Sequence, residues 1–177
     1  QGKAALLAFL EAKQHTFTAS QLTELNFASQ GVVVGDARLT GALDLVDINK
    51  EDRSIFVTDY KTGRPSQNWK GSSEYEKIKL HKYRQQLIFY QLLVEGSRDY
   101  SGYRFIGGRL QFIEPEQRSG DILALEEVFS SEDLADFKRL IAVVWDKITT
   151  LDLPDISDYE PTYKGMIAFE QDLLDIN

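Results

Sequence analysis

Residues 41–63 read GALDLVDINKEDRSIFVTDYKTG, two apolar runs separated by a short polar segment. The polar segment, NKED at residues 49–52, is typical of a turn, and the apolar runs beside it are typical of strands. The stretch therefore predicts a β-hairpin with strands over residues 37–48 and 53–60. Each strand carries an aspartate among apolar residues, Asp44 in the first and Asp59 in the second.

The rest of the chain predicts helices and further strands around this hairpin. Helical periodicity recurs in four segments, residues 3–13, 74–95, 132–149 and 164–174. Short β-type runs occur at residues 16–27, 31–34, 101–114 and 121–129. This order predicts an α/β fold with a central mixed β-sheet flanked by α-helices. We expect residues 1–177 to form a single domain, and the lack of an initial methionine suggests a fragment of a longer polypeptide.

Composition excludes several classes of protein. The 177 residues are 42% hydrophobic and 27% charged, which is ordinary for a globular protein, and no apolar run is long enough for a transmembrane helix. The chain has no cysteine, which excludes disulfides, thiolate zinc sites and iron–sulfur clusters and suits a reducing compartment. We therefore expect a cytoplasmic protein that does not contact a membrane.

The charge of the chain is distributed unevenly. The net charge of −8 argues against a protein that binds nucleic acid over its whole surface. Residues 61–84 nevertheless contain only two acidic residues, Glu74 and Glu76, and seven basic ones: Lys61, Arg64, Lys70, Lys77, Lys79, Lys82 and Arg84. This segment is either a solvated face or a surface that contacts phosphates, and its aromatic residues Trp69, Tyr75 and Tyr83 could stack on bases.

Asp44, Asp59 and Lys61 form a candidate site. Residues two apart in a strand point to the same face, so Asp59 and Lys61 project together. If the hairpin pairs in register, Asp44 approaches Asp59, and two close carboxylates repel unless a cation joins them. Hard oxygen ligands suit Mg²⁺ or Mn²⁺, and a neighbouring lysine can polarise a water nucleophile during phosphodiester hydrolysis. The alternative is that Asp59 and Lys61 form a plain ion pair and Asp44 caps a turn.

Three short motifs resemble a known family. GALDLVD at residues 41–47, DYKTG at 59–63 and QLIFY at 86–90 occur in the order found in the RecB-type branch of the PD-(D/E)XK nuclease superfamily. The resemblance implies a restriction-endonuclease-like core. That branch includes C-terminal nuclease domains of UvrD-type helicases and of AddAB/RecBCD-like helicase-nucleases.

The resemblance also implies roles for individual residues. The aspartates that match Asp44 and Asp59 bind the metal ion, and the backbone carbonyl that matches Tyr60 often completes the metal's ligand shell. The lysine that matches Lys61 assists the nucleophilic water. The residues that match Gln86 and Tyr90 lie one helical turn apart, face the site and position its groups.

One feature departs from the family pattern. A His or Glu ligand usually comes from a helix upstream of the strands, but neither Glu11 nor His15 lies in a recognisable version of that motif. Glu24 matches a common glutamate to which we assign no catalytic role. The missing ligand could lie upstream of Gln1 in a longer polypeptide.

The sequence thus predicts a Mg²⁺- or Mn²⁺-dependent deoxyribonuclease domain that acts on single-stranded DNA in helicase-coupled DNA repair or recombination. No phosphate-binding G-x-x-x-x-G-K-[ST] motif is present, so the helicase motor is expected elsewhere on the polypeptide or on a partner subunit. The candidate DNA contacts are Arg64, Lys70, Lys82 and Arg84. Two alternatives remain: a catalytically inactive nuclease-fold module for DNA binding or scaffolding, and a plain α/β protein-interaction domain.

Overall fold

The computed structural model describes residues 2–175. The strands are β1 (Leu22–Asn26), β2 (Val33–Val34), β3 (Ala37–Arg38), β4 (Ala42–Asn49), β5 (Ser54–Lys61), β6 (Arg104–Phe112) and β7 (Ala124–Glu127). The helices are α1 (Gly2–Lys13), α2 (Glu74–Gly96), α3 (Ser131–Thr150) and α4 (Tyr163–Leu174), with a 3₁₀ turn, Gln14–Thr16, after α1. None of these helices is both long and apolar enough to cross a membrane.

The central sheet is mixed and has the strand order β1-β4-β5-β6-β7. β5 and β6 are parallel, whereas the other neighbouring strands are antiparallel. Parallel neighbours need a crossover connection, and α2 provides it between β5 and β6. α3 and α4 pack against α2 and against each other. The predicted α/β class with a central mixed sheet flanked by helices is confirmed.

The predicted strand over residues 37–48 is wrong in its first part. β3 ends at Arg38 and pairs with β2 in a separate two-stranded sheet, and β4 begins only at Ala42. Gly41 lies between them against α2, where an added Cβ would be 3.0 Å from Leu93 Cδ1. Its carbonyl accepts a hydrogen bond from Phe27 at 2.8 Å. Close packing at Gly41 therefore marks the point where the chain passes from one sheet to the other.

α2 packs tightly on one face of the central sheet, over β5 and β6. Leu87 is fully buried, which contributes on the order of 1.5–3 kcal/mol of hydrophobic stabilisation. Beneath it lies Gly108 of β6, where a Cβ would stand 3.0 Å from Leu87 Cδ2. Ser73 caps the start of the helix by accepting a hydrogen bond from the Glu76 amide. The absence of a side chain at Gly108 thus lets α2 approach β6 closely, next to the β5 strand that carries Asp59 and Lys61.

α1 contacts a different side chain of β5. The ring of Phe9 meets the ring of Tyr60 edge-on, with 5.8 Å between the ring centroids. Because neighbouring strand residues alternate between faces, Tyr60 projects away from the face of Asp59 and Lys61. The α1 helix therefore packs behind the candidate site.

Candidate active site

Asp44 and Asp59 share one face at the end of the β4–β5 hairpin. The strands pair with Val46 opposite Val57 and Leu45 opposite Thr58, so one further step places Asp44 opposite Asp59. Asp59 is 3% exposed, and Asp44 is half-buried. Oδ2 of Asp44 accepts a hydrogen bond from the Tyr60 backbone N–H at 2.9 Å. The hairpin register therefore directs the two carboxylates to the same face of the sheet.

Lys61 forms the ion pair that the sequence left open as an alternative. Its Nζ lies 2.6 Å from Asp59 Oδ2, and its side chain is only 14% exposed. Nζ also donates a hydrogen bond to Gln86 Oε1 at 2.6 Å and lies 4.4 Å from the centroid of the Tyr83 ring. Taking two charges out of water costs as much as their attraction can return, so such a pair is weak evidence for a role in stability.

Gln86 and Tyr90 of α2 close a ring of polar contacts with Asp59 and Lys61. Gln86 Nε2 donates to Tyr90 Oη at 2.6 Å, and Tyr90 Oη donates to Asp59 Oδ1 at 2.7 Å. An ammonium group can only donate, so the Gln86 oxygen must face Lys61 and its NH₂ must face Tyr90. Tyr90 is then free to donate to the carboxylate. The four side chains therefore hold one another in a single consistent arrangement.

The environment of Tyr90 keeps its hydroxyl protonated. Burial raises the pKa of Tyr90 well above its ordinary value, and the hydrogen bond to Asp59 and the negative charges of Asp59 and Asp44 raise it further. Tyr90 thus acts as a permanent hydrogen-bond donor to Asp59.

The donor atoms at this site fit a hard divalent cation. Asp59 Oδ2 is buried and accepts no hydrogen bond of normal geometry, so apart from its ion pair with Lys61 it is available as a ligand. Mg²⁺ keeps several waters and commonly takes only one or two carboxylates from a protein, which Asp44 and Asp59 can supply together with the Tyr60 carbonyl. Within residues 2–175, no three His, Cys, Asp or Glu side chains are grouped to hold a metal ion, and neither Glu11 nor His15 adds a third ligand.

The four candidate DNA contacts differ in their surroundings. Arg64, Lys70 and Lys82 are exposed, and their side chains form no ion pair with any residue that the structure describes. Arg84 instead pairs with Glu127 at 3.3 Å and with Asp133 at 3.0 Å. Two carboxylates therefore already neutralise Arg84, which makes it the weakest of the four candidates.

The aromatic residues of the basic segment also differ in exposure. The indole N–H of Trp69 donates to the Glu126 carbonyl at 3.0 Å, and Trp69 packs against the core. Tyr83 is half-buried beside Lys61, whereas Tyr75 is 78% exposed. Among these three residues, Tyr75 therefore offers the most open surface for stacking.

Glu76 is an organising residue that the sequence did not reveal. Its carboxylate accepts hydrogen bonds from Ser66 Oγ at 2.7 Å, from Ser72 Oγ at 2.6 Å and from the Ser72 amide at 2.7 Å. These bonds fasten the loop that carries Arg64 and Lys70 to the first turn of α2. The only signal in the sequence is the S-x-x-E spacing from Ser73, which predicts a helix cap rather than a loop anchor.

Comparison with known proteins identifies a family for this chain. The sequence pattern of the PD-(D/E)XK nuclease superfamily matches residues 3–159. No curated protein matches the chain. The solved structure of SSO0001 is similar at 18% identity; the likeness covers 81% of this chain and 59% of that one, and its TM-score is 0.44, too low to support an argument. The family match spans most of the chain, and the mixed sheet flanked by helices is consistent with a restriction-endonuclease-like fold. The chain therefore belongs to the PD-(D/E)XK nuclease superfamily.

Proposed function

We propose that this chain is a Mg²⁺- or Mn²⁺-dependent deoxyribonuclease domain that hydrolyses phosphodiester bonds of single-stranded DNA. We further propose that it is a RecB-type domain and serves helicase-coupled repair or recombination, with the motor on the same polypeptide or on a partner subunit. A cytoplasmic location goes with this proposal, because the chain has no cysteine.

The observation that carries the proposal is the closed ring of Asp59, Lys61, Gln86 and Tyr90 beside Asp44. A buried carboxylate, a partly buried ammonium and two polar side chains cost desolvation energy, which apolar residues in the same place would not. Their joint presence favours a catalytic site over a purely structural one. The superfamily to which the chain belongs consists of nucleases, which supports the same interpretation.

Each residue of the site has a distinct role in this proposal. Asp44, Asp59 and the Tyr60 carbonyl would hold the cation, which when bound would polarise the scissile phosphate and offset its negative charge. Lys61 would orient the attacking water or donate to a phosphate oxygen. The ion pair of Lys61 with Asp59 supports this role, because the ammonium lies beside a proposed ligand of the cation.

Gln86 and Tyr90 act on these groups through hydrogen bonds. Tyr90 fixes the orientation of the Asp59 carboxylate, and Gln86 fixes the Lys61 ammonium. Both residues lie on one face of α2. The contact between Leu87 and Gly108 holds this helix close to β6. We therefore assign them positioning roles.

Exposed basic and aromatic groups support a nucleic-acid substrate. Arg64 and Lys70 lie on the loop that leaves β5 directly after Lys61, and Lys82 lies one turn before Gln86 on α2. Tyr75, in the first turn of the same helix, presents an open ring. Basic side chains bind the backbone of either strand type, whereas an exposed ring stacks on unpaired bases, which favours single-stranded DNA.

One observation favours a second candidate function, a catalytically inactive nuclease-fold module for DNA binding or scaffolding. Residues 2–175 contain no group of three side-chain metal ligands of the His, Cys, Asp and Glu types. With two carboxylates alone, cation affinity would be modest. The two candidates differ in one respect: the module would bind DNA without cutting it.

The test is cleavage of end-labelled single-stranded and duplex oligonucleotides with Mg²⁺, with Mn²⁺ and with a chelator. We expect the wild-type chain to cut single-stranded DNA only with a divalent cation. Asp44→Asn, Asp59→Asn and Lys61→Met should each reduce the rate by at least about 100-fold, the scale for removing an electrostatic group from an active site. Binding without cleavage under every metal condition would favour the inactive module.

Matched control variants distinguish the loss of a catalytic group from a general change in the charge of the protein. Asp36 and Lys50 are exposed, and their side chains form no hydrogen bond or ion pair with the described residues. Asp36→Asn and Lys50→Met make the same changes in charge as the site variants and should leave cleavage unchanged. Equal losses in the control and site variants would contradict the assigned roles.

A further inference from the structure

The third partner of Lys61 is the aromatic face of Tyr83. The Lys61 ammonium forms an ion pair with Asp59 and donates a hydrogen bond to Gln86. The nitrogen also lies over the Tyr83 ring, 4.4 Å from its centroid. That distance is within the range in which the negative face of an aromatic ring attracts a cation. Two oxygens and a ring therefore surround the ammonium group.

We propose that Tyr83 is a positioning residue for the nuclease reaction and that it acts through Lys61. Tyr83 lies three residues before Gln86 on α2, so both residues approach the ammonium from the same helix. Together they hold Lys61 in place independently of Asp59. This matters for the proposed reaction, because Asp59 is also a proposed ligand of the cation.

The geometry separates this role from direct stacking on a base. Tyr83 is half-buried and packs against the hydrophobic core, and one face of its ring is occupied by Lys61. Its hydroxyl forms no hydrogen bond within residues 2–175. The aromatic face of Tyr83, and not its hydroxyl, therefore interacts with Lys61. A phenylalanine at this position should preserve the interaction.

The inference rests on the proposed function, so its test combines a readout without catalysis and one with catalysis. The first is the NMR chemical shift of the Lys61 side-chain protons next to the ammonium. A ring placed face-on shields these protons, so their signals should lie upfield in the wild-type chain and in Tyr83→Phe and return to ordinary values in Tyr83→Leu. Ordinary shifts in the wild-type chain would overturn the inference, whether or not Tyr83→Leu folds.

The second readout is the kinetics of single-stranded DNA cleavage. We expect Tyr83→Leu to lower kcat about 3- to 30-fold, the range that corresponds to removing one cation–π interaction, with KM unchanged. Tyr83→Phe should retain the wild-type kcat. Tyr75→Leu is the comparison, because it removes an exposed tyrosine of the same helix and should raise KM instead.

The outcomes distinguish the inference from the proposed function. A raised KM with unchanged kcat in Tyr83→Leu would overturn positioning and assign Tyr83 to DNA contact. A loss of kcat in Tyr83→Phe equal to that in Tyr83→Leu would also overturn it, because the hydroxyl would then be the active part. If the wild-type chain does not cleave DNA but the Lys61 protons are shielded, the proposed function fails while the interaction itself stands.

Discussion

Tyr90 Oη donates a hydrogen bond to Oδ1 of Asp59 across 2.7 Å. This bond joins the C-terminal half of α2 to the second strand of the hairpin, at a carboxylate that is 3% exposed. It leaves Oδ2 of Asp59 facing Lys61. Because Tyr90 occupies Oδ1, Oδ2 is the oxygen of Asp59 that remains available to a metal cation.

The first prediction concerns this hydrogen bond. Tyr90→Phe removes the hydroxyl and leaves a buried carboxylate oxygen without its donor, which should cost about 1–3 kcal/mol in the free energy of unfolding. The Asp59 carboxylate should also lose its fixed orientation, so cleavage should slow by about 10-fold or more, by comparison with the loss of other preorganised groups. Urea denaturation and single-turnover cleavage measure the two effects.

Tyr159→Phe is the matched control for Tyr90→Phe. Tyr159 Oη also donates a hydrogen bond to an aspartate, Asp172, at 2.7 Å. This bond is exposed, and it joins α4 to the segment that precedes it. Removing an exposed hydrogen bond leaves both groups in water, so stability and cleavage should change little. Equal effects of the two substitutions would contradict a special role for the bond between Tyr90 and Asp59.

The second prediction concerns the glutamine that links Lys61 to Tyr90. Gln86→Leu removes the acceptor of the Lys61 ammonium and the donor to Tyr90 while keeping a side chain of similar size. We expect kcat to fall by about 10-fold or more, because a misplaced catalytic group loses its near-attack geometry. Steady-state cleavage kinetics provide the measurement.

Gln85 offers a neighbouring control for Gln86. Its Nε2 donates to Glu170 of α4 at 3.0 Å, away from the candidate site. Gln85→Leu should therefore leave kcat at the wild-type value. A comparable fall of kcat in both variants would show that the loss comes from disturbance of α2 as a whole.

The third prediction concerns pH and the loop that carries Arg64 and Lys70. Hydrogen bonds from the Ser72 and Ser66 hydroxyls and from the Ser72 amide lower the pKa of Glu76 from its ordinary value of 4.5 to about 2. Because the folded-state pKa is the lower one, Glu76 contributes stability above pH 4.5, and this contribution is lost as the pH falls towards 2.

Denaturant unfolding of the wild-type chain and of Glu76→Gln measures this contribution. The wild-type chain should be more stable above pH 4.5, by about 1–2 kcal/mol for hydrogen bonds to a partly solvated carboxylate. The difference should shrink between pH 4.5 and 2. Glu51→Gln changes an exposed carboxylate in the hairpin turn, and its effect on the free energy of unfolding should not depend on pH in this range. A difference that is constant over the whole pH range would contradict the role of Glu76 as a charged anchor.

The fourth prediction concerns the electrostatic attraction of DNA. Replacing both Arg64 and Lys70 with glutamine removes two exposed charges from the loop that follows Lys61. Binding of single-stranded DNA should weaken, and the slope of log Kobs against log salt concentration should flatten by about 0.7 for each phosphate that the variant no longer neutralises. Salt titrations followed by fluorescence anisotropy measure the slope.

Lys138→Gln on α3 serves as a control for the loss of an exposed basic charge, although it removes one charge and the double variant removes two. It should leave the salt dependence unchanged, because Lys138 lies on a helix that does not contribute to the candidate site. An unchanged slope in the double variant would remove the loop from the proposed DNA-binding surface.

The hairpin and its aspartates could be predicted from the sequence because strand geometry is regular. Side chains alternate between faces, so a hairpin that pairs in register was expected to bring Asp44 and Asp59 to one face. The helix was predictable for a similar reason, since Gln86 and Tyr90 are four residues apart and must share a face. Periodicity alone carries this information.

The remaining features depend on tertiary packing, which periodicity does not encode. The chain leaves one sheet and enters another beside Gly41, where backbone packs against Leu93. The contact of Tyr83 with Lys61 needs α2 at a particular distance from the sheet, and that distance depends on the glycine at position 108. The pairing of Arg84 with Glu127 and Asp133 likewise joins residues more than 40 positions apart.

The most direct test of the candidate site is anomalous X-ray diffraction from crystals of the wild-type chain grown with Mn²⁺. We predict an anomalous peak between the carboxylates of Asp44 and Asp59, at the oxygen distances of about 2.0–2.3 Å typical of small hard cations. Crystals of Asp59→Asn should lose this peak. A peak at another place, or no peak between two carboxylates that keep the geometry of the hairpin, would contradict the proposal of a metal-dependent nuclease site.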